Sequence, residues 1–283
     1  MVGARMKGAP KAKEYGRMKR LIAIMMTAIL LASALVGCAN TADKKEYVGI
    51  VSAMDNEIAV LLDEAKIDRV DEIGGVKYHV GTLRGQNVVI TRSGIGKVRA
   101  SAGVTAMFNE YNISKVLFTG IAGGVKDELA VMDEVIATRL VEHDYGIIGN
   151  DGFTWLSGDP GMGGRKGEYY ACDEGLVNLA YEAAVAVVGA GHAWKGVIAT
   201  GDQFIASETY VERLKNDYDA YACEMEGASV AVVCIQYGKP FVVVRALSDK
   251  ADGHAHESYE NFGDVAGANS SRIVLKMLEG MGK

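Results

Sequence analysis

The chain has 283 residues and a formal charge of −6, with 49% apolar residues, 35 glycines and only 3 prolines. Its length allows one large domain with an ample core, and its composition is typical of an α/β protein rather than of a β-sandwich or a disordered chain. The acidic charge argues against a nucleic-acid-binding protein.

The N-terminal 37 residues have the composition of a secretion signal. A stretch with seven basic residues and one acid precedes residues 21–36, which are uncharged and nearly all apolar. This order is typical of a signal peptide, and the apolar run is short for a membrane-spanning helix. The run ends in Leu35-Val36-Gly37-Cys38, which resembles the lipobox of bacterial lipoproteins. We therefore predict cleavage before Cys38, lipidation of its thiol and a location outside the cytoplasm. The alternatives are a plain signal peptide and an anchor that is retained.

The rest of the chain divides into a short tether and one domain. Residues 38–46 are polar and form the predicted tether, and residues 47–283 form the predicted domain. Because the first 37 residues carry a net charge of +6, the chain without them carries −12. Its remaining cysteines, Cys172, Cys223 and Cys234, are odd in number and lack metal-binding spacing, so we predict buried free thiols.

Apolar runs of strand length alternate with segments of helical periodicity along this domain. Strands are predicted over 47–53, 76–83, 87–92, 115–119, 131–141, 196–200, 218–222 and 240–249. Helices are predicted over 54–66, 97–111, 176–188, 207–217, 226–237 and 258–278, and a long loop over 150–167. We therefore predict a single α/β domain with a mixed central β-sheet flanked by helices.

Glycines and polar residues follow six of the predicted strands. These strand ends are 53–57, 93–96, 120–124, 201–204, 224–226 and 245–249. Each has a simple structural explanation, such as a tight turn or an acid in the first turn of a helix. Ligands of open α/β sheets, however, bind at the carboxyl ends of strands, so the agreement of six strand ends favours one shared ligand site.

Six motifs identify a family resemblance that runs in order from residue 47 to the C-terminus. They are GIVSAMDNE, SGIGKV, TGIAGG, GDQFI, EMEGASVA and PFVVVRALSD. Together they resemble the 5′-methylthioadenosine/S-adenosylhomocysteine nucleosidases of the purine nucleoside phosphorylase superfamily. The resemblance implies a nucleoside phosphorylase-like fold, usually a homodimer, with no cofactor. It also implies that water cleaves the N-glycosidic bond of 5′-modified adenosines and releases adenine.

The resemblance also assigns roles to individual residues. Asp249 matches the acid that protonates N7 of the purine, Glu57 the base that activates water, and Arg245 a residue that helps to position this water. Such a pair of carboxyl groups follows the logic of glycoside hydrolysis. The matching substrate-binding residues are Glu226 and Met225 for the ribose, Phe204 and Ile205 for the base, Ser248 and Gly123 for the purine pocket, and Met54 and Ile95 at two further strand ends. Glu224 is predicted to be a supporting acid.

Other functions stay open at this point. Phosphorylases of the superfamily carry a Gly-Asp-Pro-x-Arg loop after the first strand, whereas this chain has SAMDNE there, which favours water over phosphate. Ile121 stands where the family usually has Ser, and residues 142–153 also differ from the family. The alternatives are therefore another 5′-modified adenosine, such as an aminodeoxyfutalosine-type nucleoside, or a nucleoside-binding lipoprotein with little turnover. His254 and His256 lie in a polar loop without a third ligand, so no metal site is predicted.

Overall fold

The structure, a computed structural model, describes residues 45–156 and 169–281. The predicted signal segment, Cys38 and nearly all of the tether lie outside these residues. Within the described ranges, no helix is both long enough and apolar enough to cross a membrane.

Most strands of the described residues join one mixed sheet. In chain order the strands are β1 (Tyr47–Ser52), β2 (Lys66–Ile73), β3 (Val76–Leu83), β4 (Gln86–Arg92), β5 (Ile113–Gly124), β6 (Glu134–Glu142), β7 (Gly146–Gly149), β8 (Gly152–Trp155), β9 (Tyr170–Ala171), β10 (Ala193–Thr200), β11 (Ala220–Glu224) and β12 (Phe241–Asp249). The sheet runs in the order β11-β10-β6-β12-β5-β1-β4-β3-β2, β9 pairs with β6, and β7 and β8 form a separate hairpin. This mixed sheet confirms the predicted fold class.

The long strand β5, in the middle of this order, also pairs with β11 at one end of it. Its first part pairs in parallel with β1 and β12, and its last residues, Gly123 and Gly124, pair antiparallel with β11. Five strands thus close into a ring, and the carboxyl ends of β5, β10, β11 and β12 meet. Residues that are far apart in the chain therefore converge on one place.

Helices cover both faces of the sheet. They are α1 (Asp55–Glu64), α2 (Lys97–Glu110), α3 (Glu174–Val188), α4 (Glu208–Tyr218), α5 (Gly227–Gln236) and α6 (Ala255–Met281). Apolar residues of α2 and α5 pack in one core cluster with the sheet, and those of α1, α3 and α6 pack in another. The strands between them are buried on both faces, which explains their continuous Val- and Ile-rich sequences.

The predicted elements differ from the observed ones in several places, and the short strands β7 and β9 were not predicted. Strand β2 was not predicted, because its residues are mostly charged and lie exposed at the sheet edge. The predicted loop at 150–167 is wrong in its first part, where β8 pairs with β7, and residues 157–168 are not described. Helix α6 begins at Ala255, three residues before the predicted start.

Glu134 is a buried acid that the fold places in an apolar layer. Alternation along β6 puts it on the same face as Ile136, which packs in the cluster formed with α1, α3 and α6. Neither of its carboxyl oxygens has a hydrogen-bond partner within the described residues. Burial, with a smaller contribution from Asp133, raises the pKa of Glu134 well above its usual value of 4.5.

This raised pKa makes the stability of the fold depend on pH. Between pH 4.5 and the pKa of Glu134 in the folded state, the folded chain binds more protons than the unfolded chain, so the free energy of unfolding falls as pH rises. We expect Glu134→Leu to raise this free energy by about 2 kcal/mol at pH 8 and by less at pH 5. Urea unfolding at both pH values measures the change, with the exposed Glu128→Gln as control. Equal effects of Glu134→Leu at the two pH values would contradict the account.

Candidate active site

A cavity of about 490 Å³ opens where the carboxyl ends of the strands meet. Its walls come from β5, β11 and β12, from the turns after β1, β4, β10 and β11, and from the first turns of α1 and α6. They contain Met54, Glu57, Ile95, Gly123, Phe204, Ile205, Met225, Glu226, Ser248 and Asp249, together with Ala53, Ile121, Ala122, Gln203, Cys223, Glu224, His256 and Tyr259. The structure thus brings together all the predicted catalytic and substrate-binding residues except Arg245, which lies directly behind Glu224.

Glu57 presents a carboxylate that protein donors hold in place on two sides. Its Oε2 accepts hydrogen bonds from the hydroxyl of Ser52 at 2.6 Å and from the backbone amides of Ala53 and Met54 at 2.9 and 2.8 Å. Its Oε1 accepts one from the amide of Ile121 at 3.0 Å. Donors of this kind fix the orientation of the carboxylate and the direction of its remaining lone pairs. The side chain is therefore suited to accept a proton from a bound water.

Arg245 is buried and is held by Glu224. Its Nη2 donates to Oε2 of Glu224 at 2.6 Å and lies 3.6 Å from Oε2 of Glu226. Its guanidinium also stacks over the ring of Phe118, 4.2 Å from the ring centre. Its Nε and Nη1 have no protein acceptor in the described part of the chain. Of the two, Nη1 lies on the side of Glu57, since a Cβ on Gly120 would meet both Nη1 and Oε1 of Glu57.

Glycines of β5 allow the reactive groups to approach the strand. A Cβ on Gly120 would lie 2.5 Å from Nη1 of Arg245 and 2.6 Å from Oε1 of Glu57. A Cβ on Gly123 would lie 2.8 Å from Oδ1 of Asp249. All three distances are shorter than the contacts that real Cβ atoms make, so the motif TGIAGG contains glycine where a base, a cation and an acid must come close to the backbone.

Asp249 is buried at the end of β12. Its Oδ2 accepts a hydrogen bond from the hydroxyl of Ser248 at 2.8 Å, and its Oδ1 accepts one from the amide of Ala251 at 2.8 Å. Burial raises the pKa of Asp249, although these two hydrogen bonds act in the opposite direction. A carboxyl group with a raised pKa keeps its proton closer to neutral pH, as a general acid requires.

Glu224 and Glu226 have different tasks at the junction of β11 and α5. Glu224 accepts from the amides of Glu226 and Gly227 at 2.8 to 3.0 Å and from the hydroxyl of Thr200, so it holds the start of α5 as well as Arg245. Glu226 faces the cavity, and its Oε1 accepts from the amide of Gly96 at 2.8 Å. Burial, followed by the nearby charge of Glu224, raises the pKa of Glu226.

Three aromatic rings line one part of the cavity. Phe204 is half exposed, and its ring meets those of His256 and Tyr259 edge-on, at 6.4 and 6.2 Å between ring centres. The sequence did not indicate these two as cavity residues, because His256 was assigned to a polar loop and Tyr259 to a helix without a recognisable site motif. A glycine-containing turn directly before an aromatic residue, as at Phe204, indicates a ligand-binding loop in the sequence. The first turn of a long helix gives no such indication.

Ile121 takes part in the site through its backbone. Its amide holds Glu57, and its side chain lines the cavity close to the position of Gly263 on α6. An apolar side chain in place of a hydroxyl therefore leaves the hydrogen bond from the amide of residue 121 to Glu57 intact.

No group of three or more His, Cys, Asp or Glu side chains in the described ranges is arranged to bind a metal ion.

Comparisons with known proteins agree with the family resemblance seen in the sequence motifs. The family model described as the phosphorylase superfamily matches residues 47–279. A 5′-methylthioadenosine/S-adenosylhomocysteine nucleosidase of Marinomonas sp. (strain MWYL1) is 39% identical over 235 residues, which are 82% of this chain and 98% of the relative.

Solved structures of two named enzymes are also similar. The 5′-methylthioadenosine/S-adenosylhomocysteine nucleosidase from Neisseria meningitidis, in complex with methylthio-immucillin-A, has a TM-score of 0.76 and 32% identity over 83% of this chain and 99% of that chain. The futalosine hydrolase of Helicobacter pylori strain 26695 has a TM-score of 0.75 and 33% identity over 83% of this chain and 98% of that chain.

Proposed function

The chain belongs to the phosphorylase superfamily and, within it, to the 5′-methylthioadenosine/S-adenosylhomocysteine nucleosidase family, and on this basis we propose that it hydrolyses the N-glycosidic bond of 5′-modified adenosines and releases adenine. One observation carries the proposal. The buried carboxyl groups of Glu57 and Asp249 line the same cavity, and Nη1 of Arg245 lies near Glu57, across Gly120. Mere capture of a nucleoside requires no such base.

Each group has a step in the reaction. Asp249 gives its proton to N7 of the adenine, which makes the base a neutral leaving group, and positive charge develops on the ribose as the C1′–N9 bond breaks. Glu226 accepts hydrogen bonds from the ribose hydroxyls, and Phe204 stacks on the base. Glu57 takes a proton from the water that attacks C1′, and Arg245 orients this water. The products are adenine and the 5′-modified ribose.

The nature of the cavity favours water over phosphate as nucleophile. Among its described lining residues none is lysine or arginine, and the carboxylate of Glu57 occupies the end where a nucleophile would bind. A phosphate dianion there would be repelled by the carboxylate of Glu57. Arg245 does not compensate, because its charge is already paired with that of Glu224.

We expect adenine release from methylthioadenosine in phosphate-free buffer, with free methylthioribose as the other product. Chromatography of the products measures both. Glu57→Gln removes the base and should lower kcat by about 10²–10⁴-fold, whereas the exposed Glu110→Gln should leave kcat unchanged. Dependence on phosphate with a sugar 1-phosphate as product would contradict hydrolysis. Binding without cleavage would support the nucleoside-binding alternative instead.

The 5′ substituent of the natural substrate is a separate question. The similarity to a futalosine hydrolase favours a second candidate, a nucleoside with a larger 5′ group of the aminodeoxyfutalosine type. Tyr259 also lines the cavity and brings a hydroxyl close to Met54. The values of kcat/KM for methylthioadenosine, S-adenosylhomocysteine and aminodeoxyfutalosine decide between the candidates, because the natural substrate should have the highest value.

We also propose that two copies of the chain associate as a homodimer. The family resemblance supports this state, and so do the exposed apolar side chains of the β7–β8 hairpin, where Ile147 and Ile148 are 56% and 86% exposed. Light scattering of the purified protein should give twice the mass of the chain, and Ile148→Asp should shift it toward the monomer without unfolding. A monomeric wild type would contradict the proposal.

Localisation at the cell envelope is supported by the sequence alone. The basic stretch, the uncharged run at residues 21–36 and the lipobox-like end predict a lipoprotein with an acylated Cys38. Two or more acyl chains anchor a protein stably to a membrane. Mass spectrometry of the native protein should therefore find a chain that begins with a modified Cys38 in the membrane fraction. An unprocessed chain in the cytoplasmic fraction would contradict this localisation.

A further inference from the structure

Three chain segments meet beside the cavity, outside its lining residues. They are the start of α2 at Gly96 and Lys97, the end of β6 at Glu142 to Asp144, and the turn after β10 at Gly201 and Asp202. Their side chains form a connected set of hydrogen bonds and ion pairs made by Lys97, Glu142, Asp144 and Asp202, which we call the Asp144 network. Neither the reaction steps nor the cavity lining includes any of these four residues.

Two adjacent amides at the start of α2 bind two different carboxylates. The amide of Gly96 donates to Oε1 of Glu226 at 2.8 Å, and the amide of Lys97 donates to Oδ1 of Asp202 at 2.8 Å. Gly96 has φ 99°, and a Cβ there would lie 3.1 Å from Oδ1 of Asp202. One helix start thus holds both the ribose-binding carboxylate and the turn that leads into Phe204.

Asp144 connects the start of α2 with the turn after β10. Its Oδ1 accepts from Nζ of Lys97 at 2.7 Å, and its Oδ2 accepts from the amide of Asp202 at 2.8 Å. Lys97 also donates to Oε1 of Glu142 at 3.1 Å. The side chains of Asp144 and Lys97 are only 12% and 17% exposed, so water and salt screen this pair less than a surface ion pair.

The turn that the Asp144 network holds carries the base-stacking ring. Residues Gln203 to Ile205 follow Asp202 directly and line the cavity, and Phe204 is half exposed. A ring on a turn stacks on a base only if the turn keeps its position, and an untied turn must be ordered at the expense of binding free energy. We propose that Asp144 and Asp202 are positioning residues that fix the Phe204 turn relative to the ribose-binding Glu226.

This inference rests on the proposed function, and a binding measurement separates the two. Formycin A is a C-nucleoside analogue of adenosine whose C–C glycosidic bond is not hydrolysed, so calorimetry with it requires no turnover. Asp202→Ala loses the acceptor for the amide of Lys97 and should weaken binding of formycin A by about 3- to 10-fold. Asp202→Asn keeps an oxygen acceptor at this position and should bind almost as tightly as the wild type. Asp144→Ala should weaken binding at least as much as Asp202→Ala, and the exposed Asp127→Ala is the matched control.

Kinetics distinguish a positioning role from loss of folded protein. Asp202→Ala should raise KM and leave kcat close to that of the wild type, because Glu57, Arg245 and Asp249 are unchanged. A purely structural defect would lower the number of binding sites and the melting temperature but leave the affinity of each site unchanged. Equal affinity of wild type and Asp202→Ala for formycin A, or no binding by the wild type, would overturn the inference. If the wild type binds formycin A but hydrolyses no nucleoside, the proposed function is wrong, and the affinities of the variants still decide on the inference.

Discussion

The buried ion pair between Glu224 and Arg245 is the interaction on which the rest of the site depends. Both side chains are at most 2% exposed, and the loss of either partner would leave an uncompensated charge in the interior. Glu224 also accepts hydrogen bonds from the hydroxyl of Thr200 and from the amide of Gly227 at the start of α5. The pair therefore links β10, β11, β12 and α5 at the point where the sheet closes.

This constraint explains why one strand end carries two glutamates. Both carboxylate oxygens of Glu224 already accept hydrogen bonds from Arg245, Thr200 and the backbone, so Glu224 cannot bind a ligand as well. Glu226, two residues later, is the residue directly before α5 and faces the cavity instead. Nη1 of Arg245 has no protein acceptor in the described part of the chain and lies on the side of Glu57. The same ion pair therefore supports both the ribose contact and the activation of water.

The parts of the site that follow strands could be predicted from the sequence, because strand ends combine strong apolar runs with glycine turns. Glu57, Arg245 and Asp249 all lie in or next to such runs. Tyr259 and Asp144 could not be found in this way. Tyr259 lies on a helix whose first turn is polar, and Asp144 acts through contacts with segments 47 and 58 residues away, which no local pattern indicates. Strand β2 was missed because an exposed edge strand tolerates charges.

The most direct test of the account is the comparison of Asp249→Asn with the wild type in cleavage and in binding. Asn keeps the size of the side chain and one of its two acceptor oxygens, but it has no acidic proton to give to N7. The account predicts that kcat for methylthioadenosine falls by about 10²-fold or more, while formycin A binds with nearly unchanged affinity. A kcat of Asp249→Asn close to that of the wild type would contradict the assignment of Asp249 and, with it, the proposed reaction.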